Sequence, residues 1–235
     1  MPQTKFTDGE RAAIESAITG RRSVRAFLDR PVPREMVEHL LAVASRAPSG
    51  TNMQPWRAHV VAGEAKEKLS KAILESFASG GRSPSGSEYK YYPDQFFEPY
   101  LSRRRKVGFD MYGLLGIQKG DTAAMARQLG QNYLFFGAPV GVIFTVDRRL
   151  EIGSWLDYGY FLEALCVAAR ANGLDTCSQQ AFAYFHKQIR EQIALDDSEV
   201  VVCGMAIGYA DWSAKINELQ TDRMPVSEFA TFRGF

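Results

Sequence analysis

The chain is expected to adopt an α+β fold, with helices packed around a small sheet, on three observations. Segments with a helical apolar period alternate with short β-branched runs; two of those runs, 140–146 and 200–207, are apolar enough to be interior strands; and no repeat or linker divides the chain. With 235 residues, 46% hydrophobic and 12% aromatic, there is ample material for one buried core. The expectation is a single domain over 1–235.

Taken in order, Thr7 and Glu10 have the spacing of a capping box, and Ala13, Ile14, Ala17 and Ile18 then share one face of a helix that ends before Gly20. Pro33 opens a second helix, because its missing N–H costs nothing in a first turn. Met36, Val37, Leu40, Leu41 and Ala44 form its stripe, and Pro48 stops it. A strand over 56–61 follows, then a helix over 64–76 with Leu69, Ala72 and Ile73 inward. Between 77 and 120 the composition shifts. Ser79, Gly80, Gly81, Ser83, Pro84, Ser85 and Gly86 are turn formers, and aromatic residues then crowd from Tyr89 to Tyr112, as in a lid or a subunit contact. Helix returns over 122–136, before the strand at 140–146. The apolar helix over 156–171, closed by Asn172-Gly173, has to be buried on nearly all sides. The strand at 200–207 precedes a polar tail from 215 that carries Phe229, Phe232 and Phe235.

Charge and missing motifs narrow the function. Lys plus Arg number 28 against 27 Asp plus Glu, so no global field collects nucleic acid or an anionic membrane, and any anion site is local. The longest uncharged run, 128–146, contains Gln128, Gln131, Asn132 and three glycines, which a lipid-facing helix would not choose. Neither a nucleic-acid nor a membrane partner is expected. Cys166, Cys177 and Cys203 are scattered among apolar residues, and Met1–Glu10 lacks a signal-like apolar stretch, which points to a reducing, cytoplasmic setting. GxGxxG, GxxxxGK(S/T) and GxSxG are all missing. His39, His59 and His186 have no metal-ligand spacing, so no metal is expected, and His39 falls on the polar side of its helix.

Two segments carry chemistry. Arg21-Arg22-Ser23-Val24-Arg25 offers three guanidiniums and a hydroxyl, either as a solvated basic turn or as a bidentate grip on a phosphate. Residues 47–56, from Ala47-Pro48-Ser49-Gly50 through Asn52 and Gln54 to Trp56, form either an Asx-type turn or a loop that bonds a polar planar ligand.

Together, these segments resemble the nitroreductase family of flavin enzymes, as do Gly173–Gln180, the late strand ending Gly208-Tyr209, and Arg223-Met224-Pro225. The resemblance implies an intertwined homodimer with a small, mixed, mainly antiparallel sheet. It implies FMN, with Arg21, Ser23 and Arg223 at the phosphate, Arg22 nearby, and Arg25 at the pyrimidine edge. Ser178, Gln179 and Gln180 would line the ring, with Gln131 as a further amide. Pro48, Ser49, Gly50 and Asn52 would reach the cofactor from the partner chain. A lysine found in some members before the last arginine is Thr221 here. The implied reaction is ping-pong: NADH or NADPH reduces flavin N5, and a flat nitroaromatic acceptor is then reduced in its place, with no catalytic side chain required. Phe109 and Tyr112 in the aromatic segment would contact that acceptor. Arg103, Arg104 and Arg105 either meet a 2′-phosphate or solvate a helix. The nearest alternative is a flavin reductive dehalogenase of the iodotyrosine deiodinase type. Glu88 and Tyr92 have its lid spacing, but its lysine is Asn132 and its threonine-rich turn reads Ser178-Gln179-Gln180. A non-catalytic flavin-binding module is a further alternative.

Overall fold

The computed structural model describes residues 5–80 and 86–235. The expected turn formers Gly81, Ser83, Pro84 and Ser85, and the first four residues of the N-terminal segment, lie outside the described residues.

Four strands form one sheet in the order β1-β2-β4-β3: β1 (Arg57–Ala62), β2 (Val140–Asp147), β3 (Asp175–Gln179) and β4 (Glu199–Gly208). The strand pairings are antiparallel, and a parallel bridge from Ser23 to Thr176 adds the mixed edge. β2 and β4 are buried along their whole length, because helices cover both faces. Side-chain alternation divides the core. Val142, Phe144 and Val146 pack with α2 (Arg34–Ala44) and α6 (Ile152–Ala171), while Ile143 and Val201 face α3 (Gly63–Gly80) and α7 (His186–Ile193).

On the second face the sheet has room only for glycine at two points. A Cβ at Gly141 or Gly204 would collide with the ring of Phe135 or Phe182, and those rings stack 4.5 Å apart. Seating Phe135 there explains a departure from the expected helix over 122–136. Helix α5 (Thr122–Gly130) stops early, and a tight turn follows in which Phe135 and Phe136 adopt left-handed φ values of 52° and 54°.

The capping box on α1 (Asp8–Gly20) is present, yet none of its residues is buried. α6 begins four residues before the expected start, and a single chain does not bury it on nearly all sides. Tyr158, Phe161 and Leu165 are interior, but Ile152 is 86% and Leu156 64% exposed. The 77–120 segment contains a helix whose bounds the sequence did not mark, α4 (Tyr100–Leu114); it carries Arg103, Arg104 and Arg105, and none of its residues is buried. Among the described residues no helix is long and apolar enough to cross a membrane. A last short helix, α8 (Val226–Phe229), lies in the exposed tail.

Candidate functional site

The arginine segment is fixed by the backbone. Val24 is buried and its N–H donates to the Thr176 carbonyl at 3.0 Å, which docks residues 21–25 along the outer edge of β3. Asn217, a residue that sequence reasoning passed over, is buried and fastens this segment to the tail. Its Oδ1 accepts from the Arg25 N–H at 2.7 Å, and its Nδ2 donates to the carbonyls of Ala26 and Asp211, each at 2.8 Å. An asparagine in a polar tail carries no periodicity that would single it out. By holding the tail here, Asn217 brings Thr221 and Arg223 to Arg21, Arg22, Ser23 and Arg25 around a cavity of about 510 Å³.

Four guanidiniums face that cavity against one carboxylate, Glu163 on α6. The buried Arg21 Nε lies 3.4 Å from Glu163 Oε1 but makes no hydrogen bond. Arg22 also lines the cavity, with its Cζ 6.0 Å from the centre of the Trp212 ring. Arg223 Nη1 donates to the Thr221 hydroxyl at 2.8 Å. The hydroxyl at the position of the missing lysine therefore orients the last arginine. Excess cation charge, the Ser23 side chain and an unsatisfied buried guanidinium N–H suit a phosphate monoester, so these residues fit the phosphate end of FMN.

Beside this cradle β3 presents Ser178 at the surface, with Cys166 Sγ 4.0 Å behind its hydroxyl. Burial pushes the neighbouring Cys177 thiol up to about 11 and that of Cys203 to about 12, so both stay protonated packing groups. The next two side chains turn inward. Gln179 is 2% exposed and its Nε2 donates to the Asn132 carbonyl at 2.6 Å; Gln180 Nε2 donates to the Val202 carbonyl at 2.8 Å. Their backbone is what remains for a ring lying on this edge.

Two expected contributors lie elsewhere in the chain. Gln131 lines a separate groove with Lys66 and Leu74 against α3, because the tight turn after α5 directs Asn132, not Gln131, toward β3. Pro48, Ser49, Gly50 and Asn52 do not line the cradle either. The Gly50 N–H donates to Asp157 Oδ2 at 3.1 Å, six residues before Glu163 and so about 9 Å away along α6. The loop is held in a strained shape, with Thr51, Asn52 and Gln54 at φ of 48°, 61° and 49°. Phe109 and Tyr112 line a further cavity of about 500 Å³ on α4. Arg104 is common to that cavity and to an adjoining cleft of about 770 Å³ that Arg223 also lines.

Glu88 is an anchor. Its carboxylate accepts from Arg148 Nη2 at 2.9 Å and from the Val201 N–H at 3.2 Å, with His186 Nδ1 at 3.8 Å. It is thus bound to the sheet and not presented to a ligand as a lid clamp would require.

The sequence model of the Nitroreductase family matches residues 18–209. The chain is 44% identical to the 4-nitrobenzoate reductase of Pseudomonas putida over 94% of its own length and 96% of that protein. It is 41% identical to the chloronitrobenzene nitroreductase of Comamonas testosteroni over 99% of both. The crystal structure of the FMN and NADPH-dependent nitroreductase NfnB from Sphigopyxis sp. strain HMH superposes with a TM-score of 0.90 at 37% identity, covering 94% of this chain and 99% of that one. The docked arginine segment, the antiparallel sheet and these full-length matches establish that the chain belongs to the nitroreductase family.

Proposed function

We propose that the protein is an FMN-dependent nitroreductase that takes electrons from NADPH or NADH, reduces nitroaromatic acceptors, and works as a homodimer. The observation that carries this reading is the cradle of Arg21, Arg22, Ser23, Arg25 and Arg223, whose charge a single carboxylate leaves unbalanced. Bound FMN supplies two-electron transfer between the nicotinamide donor and the acceptor. Arg21, Ser23 and Arg223 hold the monophosphate, and Arg22 adds charge from the rim. Arg25, its N–H tied to buried Asn217, holds a fixed positive charge where reduction of the ring adds negative charge. Ser178 and the backbone of Gln179 and Gln180 support the ring, and no side chain has to act as a nucleophile.

The homodimer accounts for what a single chain leaves open. The strained loop of Pro48, Ser49, Gly50 and Asn52 stands away from its own cradle and reaches the partner's, while Ile152 and Leu156 on α6 are covered. Relatives named for 4-nitrobenzoate and chloronitrobenzene support a nitroaromatic acceptor.

The test is anaerobic. Yellow protein should bleach on adding NADPH or NADH and recolour with a nitroaromatic, and the released flavin should be FMN at about one per chain. Protein that bleaches slowly or not at all with either donor would be a storage or regulatory module.

A further inference from the structure

The cavity beside Phe109 differs from the cradle in combining rings with charge. Phe109 and Tyr112, three residues apart and so on one side of α4, line it with Arg104, Arg105 and Lys119. Among the described residues no Asp or Glu lines it. The acid of this helix, Asp110, is drawn to Lys106 at 2.6 Å, and Arg104 rests 4.4 Å over the Phe96 ring instead of against a carboxylate. Phe109 is 62% exposed, so its ring is available to a ligand.

We propose that this cavity is a specificity site for a flat aromatic anion, with the ring against Phe109 and Tyr112 and the anionic group on Arg105 and Lys119. About 500 Å³ accommodates one substituted ring. A guanidinium and an ammonium lining the same cavity as the two rings, with no carboxylate to balance them there, offer what would separate a charged ligand from its neutral analogue. The shared lining residue Arg104 leads from this cavity to the cleft at Arg223, which places it on an approach to the cradle. Two substrates of the proposed reaction carry such chemistry: a nitroarene bearing a carboxylate, and the adenosine 2′-phosphate of NADPH. The inference rests on the proposed nitroreductase reading for the reaction, but not for the binding.

The test uses purified holoenzyme and the variants Arg105→Ala, Lys119→Ala, their combination, and Arg105→Lys. Steady-state kinetics compare 4-nitrobenzoate with nitrobenzene using NADH, and NADPH with NADH using nitrobenzene; calorimetry measures benzoate and 2′-AMP directly. The double variant should lose about tenfold in one charged-to-neutral ratio, through KM, as expected for one charged hydrogen bond. FMN content and kcat with nitrobenzene and NADH should hold, and Arg105→Lys should recover part of the loss. A fall for 4-nitrobenzoate assigns the site to the acceptor, and a fall for NADPH assigns it to the donor. If neither ratio moves and both anions bind the double variant as they bind the parent, the proposal is overturned. If the parent reduces no nitroarene, the nitroreductase reading fails, while calorimetry still decides whether this cavity holds an aromatic anion.

Discussion

Arg21 and Glu163 face each other across the cradle with Nε and Oε1 3.4 Å apart, yet the buried Nε–H finds no acceptor. A phosphate oxygen would satisfy it. Arg22, by contrast, has the Trp212 ring 6.0 Å from its Cζ and no unsatisfied buried N–H among the described residues. Arg21→Ala should therefore weaken FMN binding by about 2 kcal/mol, a loss of roughly thirtyfold in Kd, and Arg22→Ala by clearly less. Glu163→Gln should leave affinity unchanged or improve it, since it removes the one opposing charge. Fluorescence titration of the apoprotein measures all three, and equal losses for the two arginine variants would remove the phosphate assignment.

Glu88 ties the start of the aromatic segment to Arg148 and to the Val201 N–H. Arg148 is itself 46% exposed, so screening limits the pair. Glu88→Ala should cost about 2 kcal/mol in urea unfolding, and Glu88→Gln less, because an amide oxygen still accepts from Val201. Neither change should alter the relative kcat/KM for nitroaromatics. A variant of normal stability that loses an amino-acid-like substrate would revive the lid clamp of a deiodinase.

The sequence made legible what depends on local pattern. The capping box of Thr7 and Glu10, the stripe of α2 and the β-branched runs of β2 and β4 each declare themselves within a few residues. Three features were not legible. The break after α5 exists because Phe135 needs the space over Gly141, more than one turn away in sequence and on another element. α4 has no strong apolar face, so its helical character is not visible as periodicity. Asn217 matters only because the tail folds back on Ala26. The arginine motif marked residues that the fold gathers around one cavity, whereas Gln131 lies past the unread turn in a separate groove against α3.

Leu156 and Ile152 lie on the outward side of α6, the helix whose Asp157 holds the Gly50 loop. In the proposed homodimer, Leu156→Glu should give monomer and release FMN together, because a cofactor site built from two chains would link FMN binding to assembly. Deleting the tail from Arg223 onward should cost both as well. Sedimentation with absorbance at a flavin wavelength measures the two at once, and a flavin-loaded monomer would be incompatible with the proposed assembly.

Asp147 is held well below the usual carboxylate range, chiefly by hydrogen bonds from the Arg149 side chain and backbone and then by the charges of Arg149 and Arg57. A carboxyl depressed on folding adds stability that is fully present above its unfolded value of 3.8 and is lost as pH falls toward its folded value. Asp147→Asn should lower stability at neutral pH and flatten the acid limb of the stability curve below about pH 4. Parallel acid limbs for parent and variant would show that this cluster contributes nothing to acid unfolding.

The aromatic segment is either a lid over the acceptor or a contact with the partner, and α4 makes the two separable. None of its residues is buried, and polar contacts tie it to the tail, Arg103 Nη2 to Met224 Sδ at 2.9 Å and Lys106 to Asp222 at 3.5 Å. A helix held this way moves at small cost, and its Phe109 ring is exposed where a lid would need it. Phe109→Ala and Tyr112→Ala should then shift the preference among nitroaromatics by about 0.5–1.5 kcal/mol per lost ring contact, roughly two- to tenfold in relative kcat/KM. FMN content and dimerisation should stay near the parent values. If both variants instead lose flavin and dimerise poorly while their acceptor preference is unchanged, α4 is interface. The aromatic acceptor is then selected elsewhere, and the ring contacts of Phe109 and Tyr112 belong to the partner subunit.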